Sequence, residues 1–143
     1  MAFFRSRPAQ AGAIAVGLGL MLAGPALADP CTAPLPRAGA QFKGPVRYVG
    51  DGDSLCIGPT MDPSTWIEVR LADFYAPELS ERGGRKAKSL LEDVTFRQHL
   101  TCRAQKRSYD RVVARCTIGG ASVGDLLRAR GGREGGQGFK KKR

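Results

Sequence analysis

Four cysteines, Cys31, Cys56, Cys102 and Cys116, all lie downstream of an export-type leader, and the two features together limit what this chain can fold into. The leader has Arg5 and Arg7 as a positive start, then Ala11 to Ala23, an uncharged apolar run of 13 residues. It ends in Ala26-Leu27-Ala28, the small-x-small pattern that a signal peptidase cuts. The rival, a retained membrane anchor, needs roughly 20 apolar residues to span a bilayer. The expectation is cleavage after Ala28, export to the periplasm or outside, and no stable membrane insertion afterwards. An even cysteine count in an exported chain predicts two disulfides. A Cys₄ zinc site is the alternative, but the sequence has no C-x-x-C pair to support it.

Removing 28 of the 143 residues leaves 115, enough for one domain around a single core, expected as a monomer. The leader carries two arginines and no acid, so its loss takes the formal charge from +10 to +8. Such a surface favours polyanions: DNA, RNA, anionic lipid or acidic polysaccharide.

Residues 29–40 are rich in Pro and Ala and read as an extended lead-in. Strands are expected at Val46-Arg47-Tyr48 and Leu55-Cys56-Ile57, on either side of the polar turn Asp51-Gly52-Asp53. Trp66 to Leu71 alternates, with Ile67, Val69 and Leu71 on one side and Glu68 and Arg70 on the other. Ala87, Leu90, Leu91 and Val94 fall at i, i+3, i+4 and i+7 and predict a helix. Leu100-Thr101-Cys102 and Val112 to Ile118 read as strands joined by a basic loop, Gln105 to Asp110. Ser122 with Asp125 resembles a capping box that starts a short helix, stopped at Gly131-Gly132. A folded part at 41–131 and a disordered basic tail at 132–143 complete the division. This order is mainly β with helices, an α+β pattern that a small closed barrel would satisfy.

Three polar clusters carry candidate chemistry, and each has an ordinary reading beside it. In Asp51-Gly52-Asp53, two carboxylates two residues apart suit Ca²⁺ or Mg²⁺, although Asp-Gly-Asp is also a common turn. In the segment Arg70 to Glu78, an arginine leaves a strand and an acid follows behind a Pro; phosphoryl transfer needs such a cation and such a water-positioning carboxylate, while a surface ion pair would look the same. In Ser108 to Cys116, Tyr109 and Arg111 stand at the mouth of a hairpin, where they can meet a base or a phosphate or can be a solvated tip.

The order D-G-D-S-L, R-L-x₅-P-E, helix, Y-x-R is similar to that of the thermonuclease (staphylococcal-nuclease-like) family, over about Gln41 to Arg130. The resemblance implies an OB-fold, a small five-stranded closed β-barrel capped by two helices, and Ca²⁺-dependent hydrolysis of phosphodiesters in DNA and RNA. It implies a metal-binding role for Asp53, phosphate-binding roles for Arg70 and Arg111, water activation by Glu78, and a nucleotide contact for Tyr109. Lys106 and Arg107 would add charge to the substrate groove. The chain also departs from the family. Tyr75 stands where the family has a second metal-binding Asp, and a phenol, with a pKa of about 10, is a poor Ca²⁺ ligand. Asp73, two residues earlier, is the substitute considered, displaced by roughly 6 to 7 Å if the chain stays extended. Asp110 replaces a Gly and can neutralise Arg111.

The expectation is therefore an exported nuclease-like phosphodiesterase. The alternative is a degenerate OB module that binds nucleic acid or another polyanion without cutting it. Cysteines alone allow three pairings. Cys102 and Cys116 lie on strands expected to form a hairpin, so that pair is favoured, worth roughly 3 kcal/mol, with Cys31 left to fasten the lead-in to Cys56.

Overall fold

The computed structural model describes residues 28–140; the leader ahead of Ala28 and the last three residues lie outside the described part. The chain is sheet-rich α+β. Its strands are β1 (Gln41–Val49), β2 (Ser54–Ile57), β3 (Ile67–Leu71), β4 (His99–Ser108), β5 (Arg111–Ile118) and β6 (Ala121–Ser122); its helices are α1 (Gly84–Thr95), α2 (Val123–Ala129) and the short α3 (Gln137–Lys140). The six strands run in the order β3-β2-β1-β4-β5-β6, with antiparallel neighbours, and a parallel pairing of β3 with β5 joins the first five into a ring.

The ring closes because β1 serves two neighbours. Its first half, Gln41 to Pro45, pairs with β4, and its second half, Val46 to Val49, pairs with β2, with a bulge at Arg47 between Val46 and Tyr48. A bulge bends a strand and raises its local twist, which lets one strand turn from one partner to the other. The period-2 faces then converge inside. Leu55, Val69, Leu71, Leu100, Val112 and Ala114 are buried there, and Phe74, Leu91, Val94, Val123 and Leu127 seal the core. Each such large side chain contributes about 1.5–3 kcal/mol by leaving water. The predicted helical stripe is what α1 turns inward, with Leu91 and Val94 buried and Ala87 and Leu90 packed beside them.

Two disulfides are present, Cys31–Cys56 and Cys102–Cys116. The second joins directly paired positions of β4 and β5. The first ties the lead-in to β2 beside buried Trp66. Thr32 and Ala33 donate to the carbonyls of Pro63 and Trp66 at 3.2 and 3.0 Å, so the lead-in lies along the body. Ser122 caps α2, its hydroxyl accepting from the Asp125 N–H at 3.3 Å.

Two segments differ from the sequence reading. The loop expected at Gln105 to Asp110 is mostly strand, since β4 runs to Ser108 and only Tyr109 and Asp110 form the turn. Basic side chains hid a ladder whose partners, Val112 and Val113, lie on the next strand. Of the segment expected as a disordered tail, residues 134–139 return to the body: Glu134 accepts from the Tyr75 N–H at 3.0 Å, Gly135 donates to the Tyr75 carbonyl at 3.0 Å, and Phe139 faces the Tyr75 ring. A Gly-rich composition says nothing of such distant backbone partners.

Candidate functional site

The Asp51-Gly52-Asp53 turn connects β1 to β2 and is pressed against α1. A Cβ on Gly52 would collide with the Cβ atoms of Ala76 and Ala87, so this turn can pack only with glycine there. The Asp51 carboxylate accepts from the Asp53 N–H at 2.9 Å, an Asx-type closure that aims Asp53 inward. Asp53 is only 5% exposed. Its Oδ2 meets the Arg70 guanidinium at 2.7 Å and the Ala76 N–H at 2.7 Å. Burial pushes this carboxyl up to about 7, against the pull of Arg70 and the Ala76 N–H and with a further push from Asp51.

Arg70 has further contacts. The same Nη1 donates to the carbonyl of Phe74 at 3.1 Å, and the guanidinium lies 4.7 Å from the centre of the Tyr75 ring. Tyr75 therefore acts as a lid on Arg70, and the returning tail holds that lid through Glu134 and Phe139.

Asp73 is not brought to Asp53. β3 ends at Leu71, where the Ala72 N–H makes the last bond of the β3–β5 ladder to the Ala114 carbonyl at 2.9 Å, and the chain then bends at Ala72 and Asp73. The two-residue offset then no longer keeps Asp73 on the Asp53 side. Its Oδ2 instead accepts from the Ser122 hydroxyl and lies 3.9 Å from Arg115, while Arg128 donates to its carbonyl. Its Oδ1 is buried and has no hydrogen-bond partner among the described residues. This corner borders a cavity of about 500 Å³ shared with Tyr75, Arg128, Glu134 and Phe139.

Glu78 lies two residues past Ala76 and is exposed at the rim. Its loop is pinned, since Glu78 N–H donates to Glu81 at 2.8 Å and a Cβ on Gly84 would overlap the Glu78 carbonyl.

Arg70 pairs with Val113 across the parallel β3–β5 ladder. Paired residues share a face, as do residues two apart, so Glu68, Arg70 and Arg111 all stand on the outer face of these strands. Arg111 lies two residues, roughly 7 Å, along from the Arg70 partner. Sequence reasoning singled out Asp110 beside it, but not Glu68 or Asp29. Glu68 is 7% exposed, and burial pushes its carboxyl up to about 7, helped by the charges of Asp110 and Asp29 and opposed by Arg111. The Asp29 carboxyl shares a hydrogen bond with Glu68 and is also raised, by burial first and then by Asp51. The alternation of β3 placed Glu68 beside Arg70; nothing local pointed to Asp29.

The remaining predicted contacts sit around the hairpin. Tyr109, in the left-handed region at φ 59°, is 96% exposed at its tip. Lys106 is exposed on β4. Arg107 reaches the carbonyl of Leu35 in the lead-in at 3.1 Å.

These donors do not fit a divalent cation. Ca²⁺ takes 6–8 oxygens and Mg²⁺ about six. Among the described residues, no three His, Cys, Asp or Glu side chains converge as a metal would require. Asp53 already faces a guanidinium and an N–H, and the Asp73 carboxylate is turned to Ser122 and Arg115.

No family model matches the chain. Over 63 residues it is 41% identical to micrococcal nuclease of Shigella flexneri. The matched part spans 44% of this chain and 34% of that protein, about a third of the relative's length. This partial similarity supports a nuclease-like family.

Proposed function

We propose that the chain is a nuclease-like phosphodiesterase acting on DNA or RNA, and that its ring of five strands is a small OB-type barrel. The observation that carries the reading is the shared outer face of Arg70 and Arg111, set beside the Asp53 turn and the Glu78 rim. The partial identity to a nuclease supports it. Two guanidiniums at this spacing suit the oxygens of one phosphodiester, bound bidentately. Glu78 would orient a water and take its proton as the water oxygen attacks phosphorus and the leaving oxygen departs. Lys106 and Tyr109 would meet the strand beyond the scissile bond. Two disulfides support an oxidising location, periplasmic or secreted.

A second reading, a polyanion-binding module that does not cut, is favoured by a specific observation. Arg70 is already paired with Asp53 and covered by Tyr75, so a phosphate must displace both. A hydrolysis assay with Ca²⁺, with Mg²⁺ and with a chelator, run beside Glu78→Gln, separates the two. Cutting that is lost in Glu78→Gln supports the enzyme, and the metal arms show whether it needs a cation. Binding without cutting under every condition supports the module.

A further inference from the structure

A second aromatic and basic surface lies away from the Asp53 corner, along the seam between β1 and α1. It is a groove of about 340 Å³, and Arg47, Tyr48, Lys88, Glu92, Phe96 and Arg97 are the residues of its wall that matter. Phe96 is 67% exposed and Tyr48 37%. Rings left this open add little to the core and leave apolar surface in water.

Each ring carries a cation. The Lys88 ammonium lies 5.6 Å from the centre of the Tyr48 ring, and the Arg97 guanidinium lies 5.2 Å from that of Phe96. Arg47 is fixed beside them by hydrogen bonds to the carbonyls of Gly58 at 2.8 Å and Pro59 at 3.0 Å. Carbonyls hold the guanidinium without neutralising it. Glu92 is the single acid of the six, paired with Lys88 at 4.0 Å, so the wall stays net positive. Arg97 also adopts φ 55° just past the end of α1. That left-handed residue ends the helix, as is common one position past the cap, and turns the chain toward β4.

We infer that this groove is a secondary subsite for single-stranded nucleic acid, with bases on Phe96 and Tyr48 and phosphates on Arg47, Lys88 and Arg97. Flat rings spaced among cations are what an unpaired strand requires, since every base offers a π-face and every nucleotide a phosphate. A duplex hides its base faces, so the open rings suit an unpaired strand. The inference rests on the nuclease-like reading for its ligand class, and geometry links the two sites. Ala87 packs on Gly52 of the Asp51-Gly52-Asp53 turn, and Lys88 is the next residue of α1. One helix, α1, thus bears on both the turn and the groove.

The test is fluorescence anisotropy of the full chain with labelled oligothymidylate of about 16 nucleotides, the upper range for one small barrel. A chelator is present, and vesicles of phosphatidylglycerol form a second arm. Phe96→Ala and Tyr48→Ala are each expected to weaken oligonucleotide binding roughly 5- to 100-fold, and Phe96→Trp to restore it. Lys88→Ala is expected to lower the slope of log K against log salt by about 0.7. Both ring side chains are exposed, so unchanged melting curves establish that the variants are folded. Wild-type affinity in Phe96→Ala and Tyr48→Ala, with binding lost in Arg111→Ala, overturns the groove and leaves the nuclease-like reading standing. No oligonucleotide binding by the wild-type chain overturns both. Ring-dependent capture of the vesicles but not of the oligonucleotide overturns the inference in favour of a lipid surface.

Discussion

Arg70 and Arg111 stand on one face of the same two strands, yet their surroundings are opposite in kind. Arg70 is held by one buried carboxylate, two backbone carbonyls and one aromatic ring, and the tail holds the ring in place. Arg111 faces Glu68, Asp29 and Asp110, a set of acids that holds a proton near neutrality. The difference teaches that one strand ladder can present two phosphate-sized cations in different settings. Each corner holds a carboxyl pushed up to about 7, Asp53 in one and Glu68 in the other; they differ in that Arg70 is paired and covered by a ring, whereas Arg111 stands among several acids.

Arg70→Ala is expected to give the largest effect, because it strands the Asp53 carboxylate in the core. Removing one member of a buried pair costs about 3–5 kcal/mol. Arg111→Ala, at a half-buried position among surplus acids, should cost less than about 1 kcal/mol or even stabilise. Urea melts of both variants check the contrast; equal losses would mean that the two corners are not different in kind.

Next in size is the lead-in. Replacing Cys31 and Cys56 together by Ser removes a cross-link between residues 25 apart and should cost about 3 kcal/mol. The loss should also free Asp29, so the pH behaviour of the Arg111 corner should weaken in the same variant. A double mutant that keeps the full pH response would show that Asp29 is held by other contacts.

That pH behaviour has a definite sign. The folded Glu68 carboxyl titrates at about 7 against an ordinary 4.5. Between those values the folded chain keeps a proton that the unfolded chain has released, so stability falls as pH rises from about 4.5 to about 7 and then levels. Asp53, raised from 3.8 to about 7, and Asp29 are shifted in the same direction and add to the slope, so Glu68 supplies only part of it. Glu68→Gln should partly flatten this part of the melting-temperature profile and leave the protein more stable than wild type at pH 8. A profile unchanged by Glu68→Gln would place the titration elsewhere.

The two corners were also unequally legible. The Asp51-Gly52-Asp53 turn and the placement of Arg70 on β3 follow from local pattern: turn residues between apolar runs, then strict alternation. The stripe at Ala87, Leu90, Leu91 and Val94 fixed the inward face of α1 in the same way. The pairing of Asp53 with Arg70 was not visible, because it depends on the β2–β3 register, which pairs Ser54 with Arg70 and sends the Leu71 N–H to the Asp53 carbonyl. Asp73 was misplaced because the reading kept the chain extended past Leu71, whereas it bends at Ala72 and Asp73. Glu134 and Phe139 escaped notice because their partner, Tyr75, lies 59 residues from Glu134 in the chain. The Asp29–Glu68 contact joins the lead-in to β3 and has no local signature at all. Periodicity reports which way a side chain faces, and these misses all concern what it meets there.

The smallest expected effect isolates the ring that covers Arg70. Tyr75→Phe keeps an aromatic face 4.7 Å from the guanidinium and removes only the hydroxyl, whereas Tyr75→Leu keeps apolar bulk and removes the ring quadrupole as well. Both variants lose whatever the hydroxyl contributes, so the Phe–Leu difference reports the cation–π contact itself. It should be about 0.5–1 kcal/mol, the range for partly exposed contacts of this kind. In Arg70→Lys the pair with Asp53 keeps its charge, but the flat guanidinium that lies on the ring is gone. Repeating the Phe–Leu comparison in that background should shrink the difference. If it survives undiminished, the ring is held by Phe139 and the tail alone, and Tyr75 is a wall of the Arg70 corner with no electrostatic part in locking it.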